Sequence, residues 1–296
     1  MGAAAPTRVL VSDADTHEGP MRGSDATGPD ALETAALLAL AVEAATMAGE
    51  LLTERVRRGA ERQVSAKSTP TDLVSEADLA SERAIRELLA GRRPQDGFIG
   101  EEGEHDHSAS GLSWVVDPLD GTINFLFGIP QWCVSVAVTD RLGTIAGAVY
   151  DPNRDELFSA SREGPATLEG PRGEIIELVG SARDGELATA MLATGFAYDS
   201  DVRAAQAKVL ARVLPRVRDV RRLGSAALDL CWTAAGRYDA YFERTVKQWD
   251  IAAGALICER AGLSVVELSV YERLPWGILV ASPALAQPLL ELVDGA

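Results

Sequence analysis

Three histidines and three cysteines are all that this 296-residue chain carries of either type. His17 lies in a polar N-terminal stretch, and His105 and His107 share one acidic loop, so the apolar body has no histidine for a Ser-His-Asp triad or a zinc–histidine site. Cys133, Cys231 and Cys258 stand far apart inside apolar sequence. That scatter excludes a disulfide framework and a paired-thiolate metal motif, and it reads as reduced thiols in a cytoplasmic protein. Basic residues are scarce as well, 28 Lys+Arg against 44 Asp+Glu, for a formal charge of -16. This balance argues against nucleic acid or an anionic membrane surface as partner. Small phosphorylated substrates stay open, because a bound divalent cation inverts the local field. The nearest thing to a membrane span, Thr34 to Leu52, is interrupted by Glu43 and Glu50 and reads as an amphipathic helix. With no basic segment followed by a long apolar run near residue 1, no signal peptide is expected.

What remains is ordinary globular composition, 47% hydrophobic and 24% charged. Residues 1–29 are rich in Gly, Ala, Pro, Asp and Thr without periodicity and read as a disordered tail. Residues 30–296 read as one domain with halves at about 30–185 and 186–296. A long helix is expected from Asp30, its N-cap, to Arg58, and a second through VSEADLASERAIRELLAG, stopping at Gly91. The short apolar runs GFIG, SWVVD, CVSVAVTD, TIAGAVYDP, DELFSAS and EIIELV predict a mostly antiparallel sheet. After about residue 185, helical patterns alternate with ATGFAY, RYDAYFE, SVVEL and GILVAS, an α/β arrangement.

With histidine and cysteine unavailable, any chemistry falls to carboxylates and hard cations. In WVVDPLDGTINF a buried-looking strand runs to Asp117, and Pro118, lacking an N–H, is expected to end its ladder. Asp117 and Asp120 can face one volume across the tight turn. Gly121 lets backbone approach a ligand, and Thr122 can open a short helix whose N–H groups suit an anion. An Asp-Pro turn, an Asp-Gly turn and a Thr cap would use the same residues. GFIGEEG adds Glu101 and Glu102 at a strand end, where like charges repel unless a cation or solvent relieves them. Asp250 in KQWDIAAGALIC and Asp72 in KSTPTDLVSEAD also suit ordinary helix caps, the latter with Glu76 or Asp78 in the first turn. The run Glu104, His105, Asp106, His107 fits a solvated charged loop better than an extra cation site.

Taken in order, TPTDLVSEAD, GEE, WVVDPLDGTINF, VRRLGSAALDLCWTAAGRYDAYFE and QWDIAAGA resemble the inositol monophosphatase family, its bacterial inositol-1-monophosphatases most, from about residue 31 onward. The resemblance implies a layered αβαβα sandwich of the inositol monophosphatase/fructose-bisphosphatase type. It also implies a lithium-sensitive, cytoplasmic homodimer that uses two or three Mg²⁺ ions to hydrolyse inositol 1-phosphate. It assigns Glu101, Asp117, Asp120 and Asp250, with the Leu119 carbonyl, as metal ligands. Asp72 and Thr122, helped by Glu101, are implied to activate the attacking water. Gly121 and Thr122 are implied to bind phosphate by their backbone, and Asp120, Gly224, Ser225, Ala226 and Glu243 to line the polyol. Related substrates that the same fold serves stay open: fructose 1,6-bisphosphate, histidinol phosphate and 3′-phosphoadenosine 5′-phosphate. So does a non-catalytic, metal-binding regulatory role.

Overall fold

The structure, a computed structural model, describes residues 29–58, 64–66, 73–103, 105–181 and 185–294, with only the backbone at 64–66 and 73–75. Asp72, Glu104 and nearly all of the expected tail therefore lie outside the described residues. Helix α1 (Ala31–Arg58) begins where expected: the Asp30 carboxylate accepts the Glu33 N–H at 2.8 Å and caps the first turn. A short antiparallel pair, β1 (Val64–Ala66) and β2 (Leu73–Ser75), leads into α2 (Glu76–Arg92). That helix passes through Gly91 and ends one residue later than expected.

The first large sheet has seven strands in sequential order. They are β3 (Gly97–Gly100), β4 (Ser113–Asp120), β5 (Cys133–Asp140), β6 (Gly143–Asp151), β7 (Glu156–Ser161), β8 (Thr167–Glu169) and β9 (Ile175–Glu177). Only β3 and β4 pair in parallel. Between β4 and β5 lies the five-residue helix α3 (Thr122–Leu126). The second half supplies β10 (Met191–Thr194), α4 (Ser200–Val213), β11 (Asp219–Arg221), α5 (Ala226–Ala234), β12 (Ala240–Arg244), α6 (Gln248–Arg260), β13 (Ser264–Leu268), β14 (Gly277–Ala281) and α7 (Pro283–Val293). Its sheet has the order β11-β10-β12-β14-β13.

Strand alternation builds the layers. In β4, Trp114 and Val116 face a core made with Leu37, Ala41, Ala44 and Leu52 of α1 and Ile85 of α2. Val115 faces the other way, into the core that holds Leu228, Leu230, Ile251 and Ile257 of α5 and α6. Those two helices also pack on Ala193, Tyr241, Ile278 and Val280 of the five-stranded sheet. Its outer face packs on Val209 and Val213 of α4 and Leu285, Leu289 and Val293 of α7. The order is helix pair, sheet, helix pair, sheet, helix pair, the expected αβαβα sandwich. Helix α1 is long and apolar enough to cross a membrane by length and composition, but its apolar stripe is spent on the first of these cores.

One expectation fails in β4. Pro118 does not end the strand. Asp117 pairs with Ser135 and Asp120 with Cys133, so three steps on β4 match two on β5 and the register shifts between them. The extra residue is a bulge, which takes up the missing proline N–H and reverses the side-chain parity beyond it.

Candidate active site

The bulge explains the spacing of the two aspartates. Strict alternation would send residues three apart to opposite faces. Leu119 instead returns to the α1–α2 core with Trp114 and Val116. Asp120 is thereby turned to the same side as Asp117. Both carboxylates are nearly inaccessible to solvent, and both line one cavity of about 420 Å³. Parallel pairing of β3 with β4 sets Gly100 beside Val116, so Glu101, the next residue, arrives at the level of Asp117. Helix α6 lies across β4, β5, β6 and β7 and brings Asp250, in its first turn, to the same cavity.

Asp117 and Asp250 are each held on one side and open on another, while Asp120 accepts on both oxygens, Oδ1 taking the Ala226 N–H at 3.3 Å. Asp117 Oδ1 accepts the Leu119 N–H at 3.0 Å, and Asp250 Oδ2 accepts the Lys247 N–H at 2.6 Å. Asp120 Oδ2 accepts from Ser225 Oγ at 2.6 Å and from the Ala227 N–H at 2.7 Å. Among the described residues, Asp117 Oδ2 and Asp250 Oδ1 accept no hydrogen bond from the protein. Burial, reinforced by Glu101, Asp120 and Asp250, holds the Asp117 carboxyl well above the usual range. Burial, then Asp120 and Glu101, does the same to Asp250. Asp120 is pushed up to about 6, mainly by burial and against the Ser225 and Ala227 bonds. A wall of oxygen donors that repel one another suits a hard divalent cation, which keeps much of its own water. The residues fit such an ion. Among the described residues no three acidic, histidine or cysteine side chains already close on one point, so they form a wall for cations and not a finished cage.

Gly121 takes φ 95°, and a Cβ there would stand 2.8 Å from the Gln131 carbonyl oxygen, so glycine is required twice over. It lets α3 start at Thr122 with no side chain capping its first turn. The buried Thr122 hydroxyl lies 2.9 Å from Asp78 Oδ1 and 3.1 Å from the Leu119 carbonyl, and donates its one proton between them. The expected partner of this hydroxyl, Asp72, lies outside the described residues. Among those described the acceptor is Asp78, fully buried on α2, one turn before Ser81, whose hydroxyl donates to the Pro118 carbonyl at 2.8 Å. The sequence did carry a signal. Asp78 and Ser81 share the apolar face of α2 with Ala77 and Ile85, where an acid has no reason to sit unless it is partnered.

The residues that the resemblance assigns to a polyol wall are assembled more loosely than expected. Gly224, Ala226 and Glu243 line the cavity, but Ser225 does not. Ser225 is buried, caps α5 by accepting the Leu228 N–H, and donates to Asp120, so it positions the wall without facing it. Asn124, which sequence reasoning passed over, donates to the Gln131 and Leu223 carbonyls at 2.7 Å each and ties α3 to the loop before α5. Glu243 accepts from the Tyr241 hydroxyl at 3.0 Å and, mainly through burial, is pushed up to about 7. Its carboxylate lies against Gly195, so a side chain at that position would displace it. In the charged loop, Asp106 pairs with Arg86 and its backbone with that of Phe98, while the His105 ring meets Trp249 edge-on at 6.3 Å.

These raised carboxyls carry a linkage consequence. Asp120 and Glu243 hold their protons to about 6 and 7 in the folded chain, against about 4 unfolded. The folded state therefore binds more protons between these limits. The associated stability is complete below about pH 4 and is lost as pH rises through 6 and 7. Chelator-treated protein is expected to lose about 5–10 °C of Tm between pH 5 and pH 8, with a shallower slope in Glu243→Gln. A Tm that climbs over this range, or an unchanged slope in the variant, contradicts the assignment.

Comparison with known proteins agrees with this geometry. The chain matches the profile of the inositol monophosphatase family over residues 33–293. It is 45% identical over 235 residues to the inositol-1-monophosphatase SuhB of Mycobacterium tuberculosis, spanning 77% of this chain and 80% of that protein. It is 40% identical over 262 residues to the Nus factor SuhB of Pasteurella multocida, spanning 87% and 96%. The solved extragenic suppressor protein suhB of Bartonella henselae superposes with a TM-score of 0.79 at 33% identity, over 88% of this chain and 99% of that one. The IMPase of Thermotoga maritima superposes at 0.74 with 26% identity, over 87% and 96%. A fold with this carboxylate wall at the junction of its two sheets, and a family match across nearly all the described chain, establish that the protein belongs to the inositol monophosphatase family and is a phosphatase of that generally metal-dependent group.

Proposed function

We propose that the protein is a Mg²⁺-dependent phosphatase that releases inositol and phosphate from inositol 1-phosphate. The observation that carries this reading is the Thr122–Asp78 pair beside Glu101, Asp117, Asp120 and Asp250 in one cavity. Those four side chains, with the Leu119 carbonyl, are the residues to hold the cations. When bound, Mg²⁺ supplies charge stabilisation to the oxygens of an in-line displacement, which needs no histidine. The chain's own groups do the rest. Because Thr122 gives its proton to Asp78, its oxygen lone pairs are free to take one from a water placed in the cavity, with Asp78 as the final base. The uncapped N–H groups at the start of α3 can receive the phosphate oxygens. Gly224 and Ala226 leave room for a ring, and Glu243 accepts hydrogen bonds from its hydroxyls.

Phosphate release with and without Mg²⁺, on a panel of esters, tests the proposal. Glu243→Gln is expected to raise KM for inositol 1-phosphate about ten- to hundredfold, and more than for glycerol 2-phosphate, which lacks most of those hydroxyls. Equal losses on both esters, or a preference for fructose 1,6-bisphosphate or an adenosine bisphosphate, would remove inositol and leave a broader phosphatase. The relatives named Nus factor support a second reading, a regulatory role in which the site binds without turnover. The same assay decides, since absence of phosphate release on every ester favours that role. A cytoplasmic homodimer remains part of the proposal, checked by its mass in solution.

A further inference from the structure

Helix α6 borders two cavities. Trp249 and Asp250 line the carboxylate cavity, while Ile251, Ala252, Ala255 and Leu256, at helical spacing, line a separate one of about 480 Å³. Its other walls are Ile99 of β3, Val265 of β13, Ile278 of β14 and the turn from Asp140 to Gly143 between β5 and β6. The floor is therefore apolar, and both sheets and the helix between them contribute to it. Leu142, on the turn, also lines this cavity and stays 42% exposed although it is a large apolar residue.

The turn is fixed by its own bonds. Asp140 Oδ1 accepts the Leu142 N–H at 2.7 Å. Arg162 holds both Asp140 oxygens, at 2.9 and 2.7 Å, and also donates to the Thr144 and Gly143 carbonyls. Thr139 Oγ1 donates to the Ser113 carbonyl at 3.2 Å along the same wall. Such walls are already formed, and the volume lies within the usual range for small-molecule sites, roughly 300–1,000 Å³.

Charge selects the ligand. Arg141, Arg162 and Arg260 line this cavity with Asp140 and Glu259, an excess of positive charge on a chain whose formal charge is -16. Arg162 is matched by Asp140. Arg260, the last residue of α6, gives Nε to the Gly164 carbonyl at 2.6 Å and, among the described residues, makes no ion pair. The carboxylate cavity has the opposite balance, since Glu101, Asp117, Asp120, Asp199, Glu243 and Asp250 outnumber Arg222 and Lys247. Without cations, an anion is repelled from that cavity and attracted to this one.

We infer that this second cavity is a ligand site, separate from the phosphatase centre, for a small amphipathic acid. An apolar chain or ring covers Ile99, Ile251, Ala255 and Ile278, and one carboxylate or sulfonate meets the Arg260 guanidinium. The site does not depend on the phosphatase reading. Its occupant touches the helix that carries Asp250, because Ile251 is the next residue along it.

The probe is 8-anilinonaphthalene-1-sulfonate, apolar rings with one anionic head, titrated by fluorescence into the full chain in chelator. A single saturable class of binding is expected, reversed by decanoate. Arg260→Gln should weaken it about tenfold with Tm unchanged, since this side chain is exposed. Ala255→Phe, which fills the floor, should abolish it. If that variant does not fold, Arg260→Gln decides alone. Absence of saturable binding overturns the site, as does equal affinity in the wild type and Arg260→Gln. Probe affinity that changes in Glu243→Gln and not in Arg260→Gln puts the probe in the carboxylate cavity and overturns it too.

Discussion

Asp117→Asn is expected to lower phosphate release by roughly 10³-fold or more while the fold survives and the metal-free protein becomes harder to melt. Both effects have one origin. Asp117 is buried among Glu101, Asp120 and Asp250, and its charge is opposed by all three and by its lack of solvent. In the absence of cations that charge is a liability, which an amide removes. In their presence, on the proposed reading, it would be the central negative ligand of the wall, and its loss would weaken the hold on the cations. Several kcal/mol of transition-state stabilisation depend on those ions, and each 1.36 kcal/mol is a factor of ten. The amide keeps the shape, and its oxygen can still accept the Leu119 N–H, so the bulge itself should persist. Phosphate release across a Mg²⁺ titration, with Tm measured in chelator, checks both halves. Near-native turnover at low Mg²⁺ would show that Asp117 is not a shared ligand. A lower Tm in chelator would show that its charge is stabilised by something other than cations.

Much of this site could be read from residue types alone, because a cation wall needs acids and the chain has few other chemical groups in its body. Glu101, Asp117, Asp120 and Asp250 announce themselves as carboxylates at the ends of apolar runs, and the fold delivers all four to one cavity. The layers were legible too, since period-2 strands and period-3.6 helices alternate cleanly. What the chain did not reveal by pattern were features that depend on partners distant in sequence. Pro118 looks like a strand terminator, and only the pairing with Ser135 and Cys133 shows that β4 absorbs it in a bulge. Ser225 sits in a motif of small residues and looks like wall, yet its hydroxyl is spent on Asp120, 105 positions away. The end of β10 failed for a related reason. Phe196 and Tyr198 have strand propensity, but the hydrogen bonds that take them out of the sheet come from Gln206 and Arg203 on the next helix.

The water-activating pair gives the second large effect. The resemblance names Asp72 for this role, and Asp72 lies outside the described residues; the contact among those described is with Asp78. Thr122 Oγ1 lies 2.9 Å from Asp78 Oδ1 across 44 residues of chain, and both residues are buried. A buried hydroxyl that donates to a buried carboxylate has its acceptor side fixed toward the cavity, which is what a water giving up a proton requires. Thr122→Ala is therefore expected to lower kcat by about 10²–10⁴-fold with a much smaller change in KM, since the phosphate still meets the backbone of Gly121 and Thr122. Asp78→Asn should match it, because an amide cannot take the proton that Thr122 passes on. Thr122→Ser should restore most of the rate by returning the hydroxyl. If the two residues act as one unit, the double variant Thr122→Ala/Asp78→Asn will be little slower than either single variant. Losses that multiply would mean that the two carboxyl and hydroxyl groups work separately. A wild-type rate in Asp78→Asn would return the role to another base.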